Sequence, residues 1–213
     1  MTADTLKLKT SLSKCVSKKT LELCEKVLDL PAFSYYPASL SKHHSHVGGL
    51  AMHTKEAWEA AKGIYMVSGE PLIDVVAAGV VFHDIGKTMC YKEDLGDALN
   101  PHPAGGPDHF GRYAFSRSDE YYDMYHIVLS YEFFKKHSKG MSSEFIRRVS
   151  HCILSHHGQQ SAGSPVVPTT KEAWAVYLGD VASVTVVSNV YPKARNYDVR
   201  RYQNACIMFS KED

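Results

Sequence analysis

The residues of this sequence best suited to chemistry are histidines and aspartates on the apolar faces, or at the ends, of predicted helices. His83 and Asp84 close the apolar run 75–82, where a buried charge is costly unless it is paired or bound to a metal. Other apolar helical stripes repeat this pattern with His53, His126, His156, His157 and Asp180. A hydrogen-bonded core histidine explains each position alone, but one small core would have to satisfy all of them independently. A shared metal centre satisfies them together, so the pattern predicts a metal site.

The number and type of these side chains indicate what kind of metal site to expect. Seven candidate ligands exceed a tetrahedral site, and the absence of cysteine among them argues against a structural zinc site with thiolates. Two divalent ions bridged by a carboxylate fit the number better, and Asp84, which directly follows a histidine, is the predicted bridge. Imidazole and carboxylate ligands suit manganese, iron, zinc, nickel or magnesium.

Two neighbouring divalent ions favour hydrolysis of a phosphate ester by metal-activated water, with Asp84 as a catalytic residue. Lys87 lies about one helical turn past the His-Asp pair and is predicted to contact a phosphate oxygen and assist catalysis. A solvated lysine at a helix end is the alternative for Lys87. His43 and His44 precede the helix of His53 and are predicted to bind substrate, with a solvated loop as their alternative.

Helical periodicity predicts the elements that position these residues. It predicts one or two amphipathic helices within 5–30, and further helices from residue 47, over 73–87, over 119–137, from about 143 to 157, and from 169. The segment 88–119 is rich in proline and glycine and is predicted to be a long irregular insertion that acts as a lid or substrate-selecting rim. We expect a helical extension at 1–34, a metal-binding domain at 35–192 and a tail at 193–213.

Composition restricts the possible partners. The net charge of +1 across 213 residues gives no overall attraction to nucleic acid, so any phosphate binding must be local. The five cysteines are scattered without a CxxC pair, which indicates reduced intracellular thiols. We find neither a signal peptide nor an apolar span of membrane length, and therefore expect a cytoplasmic protein without membrane contact. A homo-oligomer is compatible with the sequence.

The order of the motifs supplies a family resemblance. HHSHVGGLAMHT, FHDIGK, YHIVLS and ILSHHG, followed by GSPVVPTTKEA and a late aspartate, resemble the HD domain of the YhaM-type 3′–5′ exoribonucleases. These belong to the HD superfamily of metal-dependent phosphohydrolases. The likeness covers roughly residues 35–190 and extends to the HD-GYP cyclic-dinucleotide phosphodiesterases, although GSP stands near the place of their GYP signature.

The resemblance implies an all-α fold, an HD-domain helical bundle, with the long insertion following the HD helix. It places the family's metal ligands on His53, His83, Asp84, His126, His156, His157 and Asp180. It implies a phosphohydrolase or phosphodiesterase that cleaves nucleotides or the 3′ ends of single-stranded nucleic acid.

Other functions remain open at this point. A cyclic-dinucleotide phosphodiesterase and a nucleotide or deoxynucleoside triphosphate phosphohydrolase use the same chemistry. A diiron oxygenase on the same scaffold, or a metal-stabilised binding module without turnover, would use the same ligands differently. The hydrolases differ from the oxygenase in one testable respect: a redox-inert divalent ion should support the hydrolysis of phosphate esters only by a hydrolase.

Overall fold

In the part of the chain that the structure describes, the fold is a bundle of helices with a small two-stranded sheet. The computed structural model describes residues 1–68, 72–94 and 114–190. Its helices and strands, in chain order, are α1 Ala3–Ser13, α2 Lys18–Leu28, α3 Pro31–Tyr35, α4 Gly49–Ser68, α5 Ile73–Phe82, α6 Lys87–Cys90, β1 Tyr91–Asp94, β2 Ala114–Arg117, α7 Asp119–Asp123, α8 Tyr125–His137, α9 Ser143–Ser155, a 3-10 turn Gln160–Ala162, and α10 Lys171–Val190. The predicted all-α class is confirmed.

Helix α5 lies at the centre of the bundle because it is apolar on every side. Every residue from Val75 to Phe82 is buried, as expected for a helix without a polar face. α5 packs against α2, α4, α9 and α10. The buried helix therefore delivers the His83-Asp84 pair at its carboxyl end into the interior.

The longest helices, α4 and α10, pack closely along each other. Gly179 permits this approach, since an added Cβ would lie 2.6 Å from the carbonyl oxygen of Ala57. The contact brings His53, near the start of α4, close to Asp180 in the middle of α10.

The N-terminal helices belong to the same hydrophobic core. Leu8 and Leu12 of α1 and Leu23 and Val27 of α2 are buried in one cluster with residues of α4 and α5. The domain boundary expected at residue 34 remains a prediction. None of the described helices is long and apolar enough to cross a membrane.

The segment 88–119 differs from the predicted irregular loop at both of its ends. Strands β1 and β2 pair antiparallel, with Tyr91 opposite Arg117. Phe115 of β2 packs 4.9 Å from the ring of Tyr36, between ring centroids. Neither strand, YKED or AFSR, alternates apolar and polar residues, which is the pattern that marks a strand in a sequence. Residues 95–113, and with them the middle of the predicted lid, lie outside the described residues.

The single helix predicted over 119–137 is interrupted. α7 ends at Asp123 and α8 begins at Tyr125, whose φ of 60° is left-handed. That conformation is a true outlier for a bulky residue. The break turns α8 away from α7 and places Tyr125 beside His126.

Candidate metal centre

The helices bring most of the predicted ligands to one buried place. His53 comes from α4, His126 from the first turn of α8, and Asp180 from α10. His83 and His156 follow the last residues of α5 and α9, at equivalent cap positions. Together with Asp84, these residues form what we call the candidate metal centre.

His83 and His156 are oriented by the same local interaction. The Nδ1 of His83 lies 2.6 Å from the carbonyl oxygen of Val80, and the Nδ1 of His156 lies 2.7 Å from that of Ile153. A carbonyl oxygen only accepts, so each Nδ1 carries the hydrogen. In a neutral ring held this way, the Nε2 atom offers a lone pair to the interior, the state that binds metals.

Asp84 stands between two groups of imidazole nitrogens. Its Oδ2 lies 3.4 Å from Nε2 of His53 and 3.3 Å from Nε2 of His83. Its Oδ1 lies 3.3 Å from Nε2 of His126 and 3.6 Å from Nε2 of His156. Each oxygen of one carboxylate thus faces its own histidine pair.

Asp180 completes the first of these groups. Its Oδ1 lies 3.1 Å from Nε2 of His53 and 3.8 Å from Nε2 of His83. The first group therefore combines two carboxylates with two imidazoles, and the second combines Asp84 with His126 and His156.

Unsatisfied polar atoms test whether these residues fit a cation. Among the described residues, Asp84 Oδ1, His126 Nε2 and His156 Nε2 are buried without a hydrogen-bond partner, although such atoms are almost always paired. Ligand atoms held about 2.0–2.2 Å from one ion are about 3.0–3.5 Å apart, close to the separations seen here. The donor set fits a bound divalent cation.

The electrostatic environment differs between the two groups. Burial lowers the pKa of His126 well below its usual value and that of His156 to about 3, so both rings stay neutral, as metal ligands must. Burial also lowers the pKa of His53, but hydrogen bonds with Asp180 and Asp84 outweigh it and raise the pKa to about 9. A cation that binds His53 must therefore displace a proton.

Both carboxylates are charged despite their burial. Burial raises the pKa of Asp84, but Lys87 and then His83 outweigh it and hold the pKa well below its usual range. Burial acts likewise on Asp180, where the hydrogen bond with His53 outweighs it and lowers the pKa. The centre thus supplies negative charge for cations.

Lys87 lies inside the site. Its Nζ is 2.5 Å from Oδ2 of Asp84, and the residue is only 7% exposed, which excludes the solvated-lysine alternative. Its part in catalysis remains a prediction.

His157 lies at the edge of the centre. Its Nδ1 is 2.8 Å from the carbonyl oxygen of Ala162, and its ring centroid is 5.1 Å from that of His126. One ring nitrogen of His157 falls close enough to those of His126 and His156 to complete a three-histidine metal group. Its role as a ligand remains a prediction.

The turn with His43 and His44 packs directly against the start of α4. An added Cβ on Gly49 would lie 2.0 Å from the carbonyl oxygen of His44, so only glycine fits there. His44 is buried with its Nε2 3.0 Å from Oε2 of Glu56. The ring of His43 is partly exposed and 5.0 Å from that of His53, between centroids. Of the two predicted substrate contacts, His43 is the better placed to reach a phosphate.

Glu56 and Ser183 extend the centre and were missed by sequence reasoning. Ser183 Oγ donates to Oε2 of Glu56 at 2.9 Å and lies 3.0 Å from Nδ1 of His53. Because the hydroxyl hydrogen goes to Glu56, the Ser183 oxygen accepts from Nδ1–H of His53 and leaves Nε2 for a metal. Each of them lies three positions after a predicted ligand, on the same helical face. This spacing is the sequence signal that could have identified them.

Replacing Ser183 with alanine is expected to weaken metal binding by about 10–100-fold, as loss of hydrogen bonds behind a ligand usually does. Isothermal titration of the metal-free protein with Mn²⁺ or Zn²⁺ measures this change. Ser138→Ala is the matched control, because Ser138 is also buried and lies about 18 Å along α8 from His126. Equal affinities for the Ser183→Ala protein and the unaltered protein would contradict the orienting role.

The helical bundle gathers the candidate ligands in the order H…HD…H…H…D, the order that the sequence resemblance predicted. The chain is 31% identical over 150 residues to the 3′-5′ exoribonuclease YhaM of Geobacillus sp. (strain WCH70) and 32% identical over 150 residues to that of Bacillus subtilis (strain 168). It is 28% identical over 162 residues to the YhaM protein of Listeria welshimeri. The predicted relationship to the YhaM-type proteins is therefore confirmed.

These similarities cover most of this chain but less than half of each relative. The matches include 70%, 70% and 74% of the chain, and 41%, 42% and 46% of the three relatives, respectively. The chain thus spans about two fifths of the length of the curated relatives that it matches. No protein-family model matches it, and no solved structure matches it significantly.

Proposed function

We propose that this chain is a metal-dependent phosphohydrolase that removes nucleotides from the 3′ ends of single-stranded nucleic acid. The observation that carries the proposal is Asp84, whose carboxylate oxygens face separate pairs of imidazole nitrogens. Such a carboxylate suits two adjacent divalent ions, the arrangement common among phosphoester-cleaving enzymes. The exonuclease direction rests on the names of the relatives.

His53, His83, Asp84 and Asp180 would hold one ion, and Asp84, His126 and His156, with His157 at the edge, would hold the other. When bound, such ions supply an acidified water molecule and neutralise charge on the phosphate oxygens. The ligand types are compatible with manganese, iron, zinc, nickel or magnesium.

Lys87 and His43 would bind the phosphate. The Lys87 ammonium donates one hydrogen to Asp84 and has others for a phosphate oxygen, where its charge stabilises the transition state. Burial, followed by the charges of His53 and Lys87, lowers the pKa of His43 to about 2. His43 would therefore meet a phosphate as a neutral hydrogen-bonding group.

Cleavage is expected to be distributive and only weakly dependent on strand length or salt. The 24 basic residues are balanced by 23 acidic residues, so the chain has no net attraction to a strand, and we expect few counterions to be released on binding. The measurement is a length series of 5′-labelled single-stranded RNA and DNA at two salt concentrations, with each candidate metal.

The other outcomes of this series discriminate between functions. Processive degradation with a steep salt dependence would contradict the expected mode of binding. Rapid turnover of mononucleotides or cyclic dinucleotides, with every strand left intact, would replace the proposal by the small-substrate alternatives. Inactivity with all redox-inert ions, together with oxygen consumption by the iron-loaded protein, would indicate the diiron oxygenase.

A further inference from the structure

A cluster of tyrosines beside the candidate metal centre has no part in metal binding. The ring centroids of Tyr121 and Tyr122 are 5.2 Å apart, and those of Tyr121 and Tyr125 are 5.7 Å apart. The guanidinium of Arg117 lies 4.4 Å from the centroid of Tyr121 and 6.0 Å from that of Tyr122. We call Tyr121, Tyr122 and Tyr125 the tyrosine platform.

The outer part of the tyrosine platform faces solvent. None of the side chains of α7, all of which the structure describes, is buried, and Tyr122 is 69% exposed. Tyr121 packs partly against the small cluster of Cys90, Tyr91 and Leu129, which accounts for one ring only. Apart from its contacts with Tyr121 and Arg117, the ring of Tyr122 is therefore largely open to solvent.

The inner end of the platform adjoins the metal centre. The ring centroid of Tyr125 is 4.4 Å from that of His126 and 6.4 Å from that of His157. Tyr125 is held there in the left-handed conformation, with φ of 60°, at a cost of about 1–3 kcal/mol. A continuous row of rings thus runs from the proposed phosphate site outward to the surface.

We propose that the tyrosine platform stacks the nucleobases of a single strand whose terminal phosphoester lies at the metal centre. This proposal rests on the proposed function. Aromatic side chains beside a cationic group bind single strands by stacking with little base preference, since every base has a π face. Arg117 supplies the positive charge for the strand backbone or stacks on a base itself. A phosphate ester without a base would gain nothing from this surface.

The first test compares strands with and without bases near the 3′ end. Tyr122→Ala is expected to raise KM for a normal oligonucleotide by about 5–150-fold, the loss of roughly one stacked base, while kcat stays the same. Tyr122→Phe keeps the ring and should retain the original KM. For an oligonucleotide with abasic sites at its last nucleotides, Tyr122→Ala and the unaltered protein should have equal KM values.

The control substitution is Met66→Ala. Met66 is 70% exposed and lies about 20 Å along α4 from His53, so its removal should change neither kinetic constant. An unchanged KM for Tyr122→Ala on the normal strand, or an equal rise on the abasic strand, would overturn the platform while leaving the proposed function intact.

A binding measurement separates the platform from the reaction. Fluorescence anisotropy of a labelled oligonucleotide with the metal-free protein should show a weaker Kd for Tyr122→Ala by the same factor. A strand that binds through Tyr122 but is never cleaved with any metal would support the platform and overturn the proposed function. A strand that neither binds nor is cleaved would overturn both.

Discussion

An Asp84→Ala protein is expected to lose its capacity to bind metal and, with it, the proposed hydrolysis of phosphoesters. The Asp84 oxygens lie 3.3–3.6 Å from four imidazole nitrogens, so its removal takes one ligand from each group. Metal affinity should fall by more than about 100-fold, since even losses behind a ligand cost about 10–100-fold. Metal content after dialysis, and turnover in the same preparation, measure the effect.

Asp84→Asn and Asp123→Ala make this test specific. The amide keeps the shape of Asp84 but offers one oxygen, so at most one ion should remain bound. Asp123 is an exposed aspartate at the end of α7, and its removal should leave metal content unchanged. Full metal content in Asp84→Ala would rule out the bridging role.

Stability should follow metal content in the same proteins. A ligand that binds only the folded state raises the melting temperature, and a bound metal contributes its binding free energy to folding. Added metal should therefore raise the melting temperature of the unaltered protein and leave that of Asp84→Ala nearly unchanged.

Lys87→Met is expected to separate catalysis from metal binding. Turnover should fall by about 100–1000-fold, the usual cost of removing one group that stabilises transition-state charge, while metal content changes little. Single-turnover kinetics at saturating metal measure this loss. Lys92→Met is the control, because Lys92 is exposed on β1. An unchanged kcat would reduce Lys87 to a structural partner of Asp84.

The same variant tests the buried ion pair between Lys87 and Asp84. In the metal-free protein, Lys87→Met removes the lysine charge from the buried Asp84 carboxylate, and breaking a buried pair costs up to about 3–5 kcal/mol of unfolding free energy. Urea denaturation in the presence of a chelator should reveal this loss, and metal ions should restore most of it by replacing the lysine charge. A metal-free variant as stable as the unaltered protein would show that the pair contributes nothing to folding.

Helical periodicity predicted much of the candidate centre, because every inward histidine shares a face with apolar neighbours. His53, His126 and Asp180 were placed correctly inside the protein for this reason. Glu56 and Ser183 were missed because polar residues one turn from a ligand are equally common on a solvent-exposed helix face. Their contact depends on the packing of α4 against α10, which no local pattern contains.

The other differences between the sequence prediction and the structure also arise from tertiary packing. The helix break before Tyr125 contains neither glycine nor proline, the residues that usually mark a break in a sequence. Tertiary contacts hold Tyr125 in its strained conformation. Phe115 of strand β2 packs against Tyr36, a contact between segments far apart in the sequence. Gly86 also lies very close to α8, because an added Cβ would be 2.1 Å from the His126 carbonyl oxygen. No pattern in the sequence predicts this contact.

The positions of His83 and His156 at helix ends have an electrostatic consequence. The carboxyl end of a helix carries about half of an elementary negative charge, and both α5 and α9 end at the candidate centre. Each histidine donates its Nδ1 hydrogen to a carbonyl of that last turn, which makes its Nε2 more basic. Before any ion arrives, the backbone itself contributes a field that attracts cations. The same histidine moved to the middle of a helix would lose both contributions.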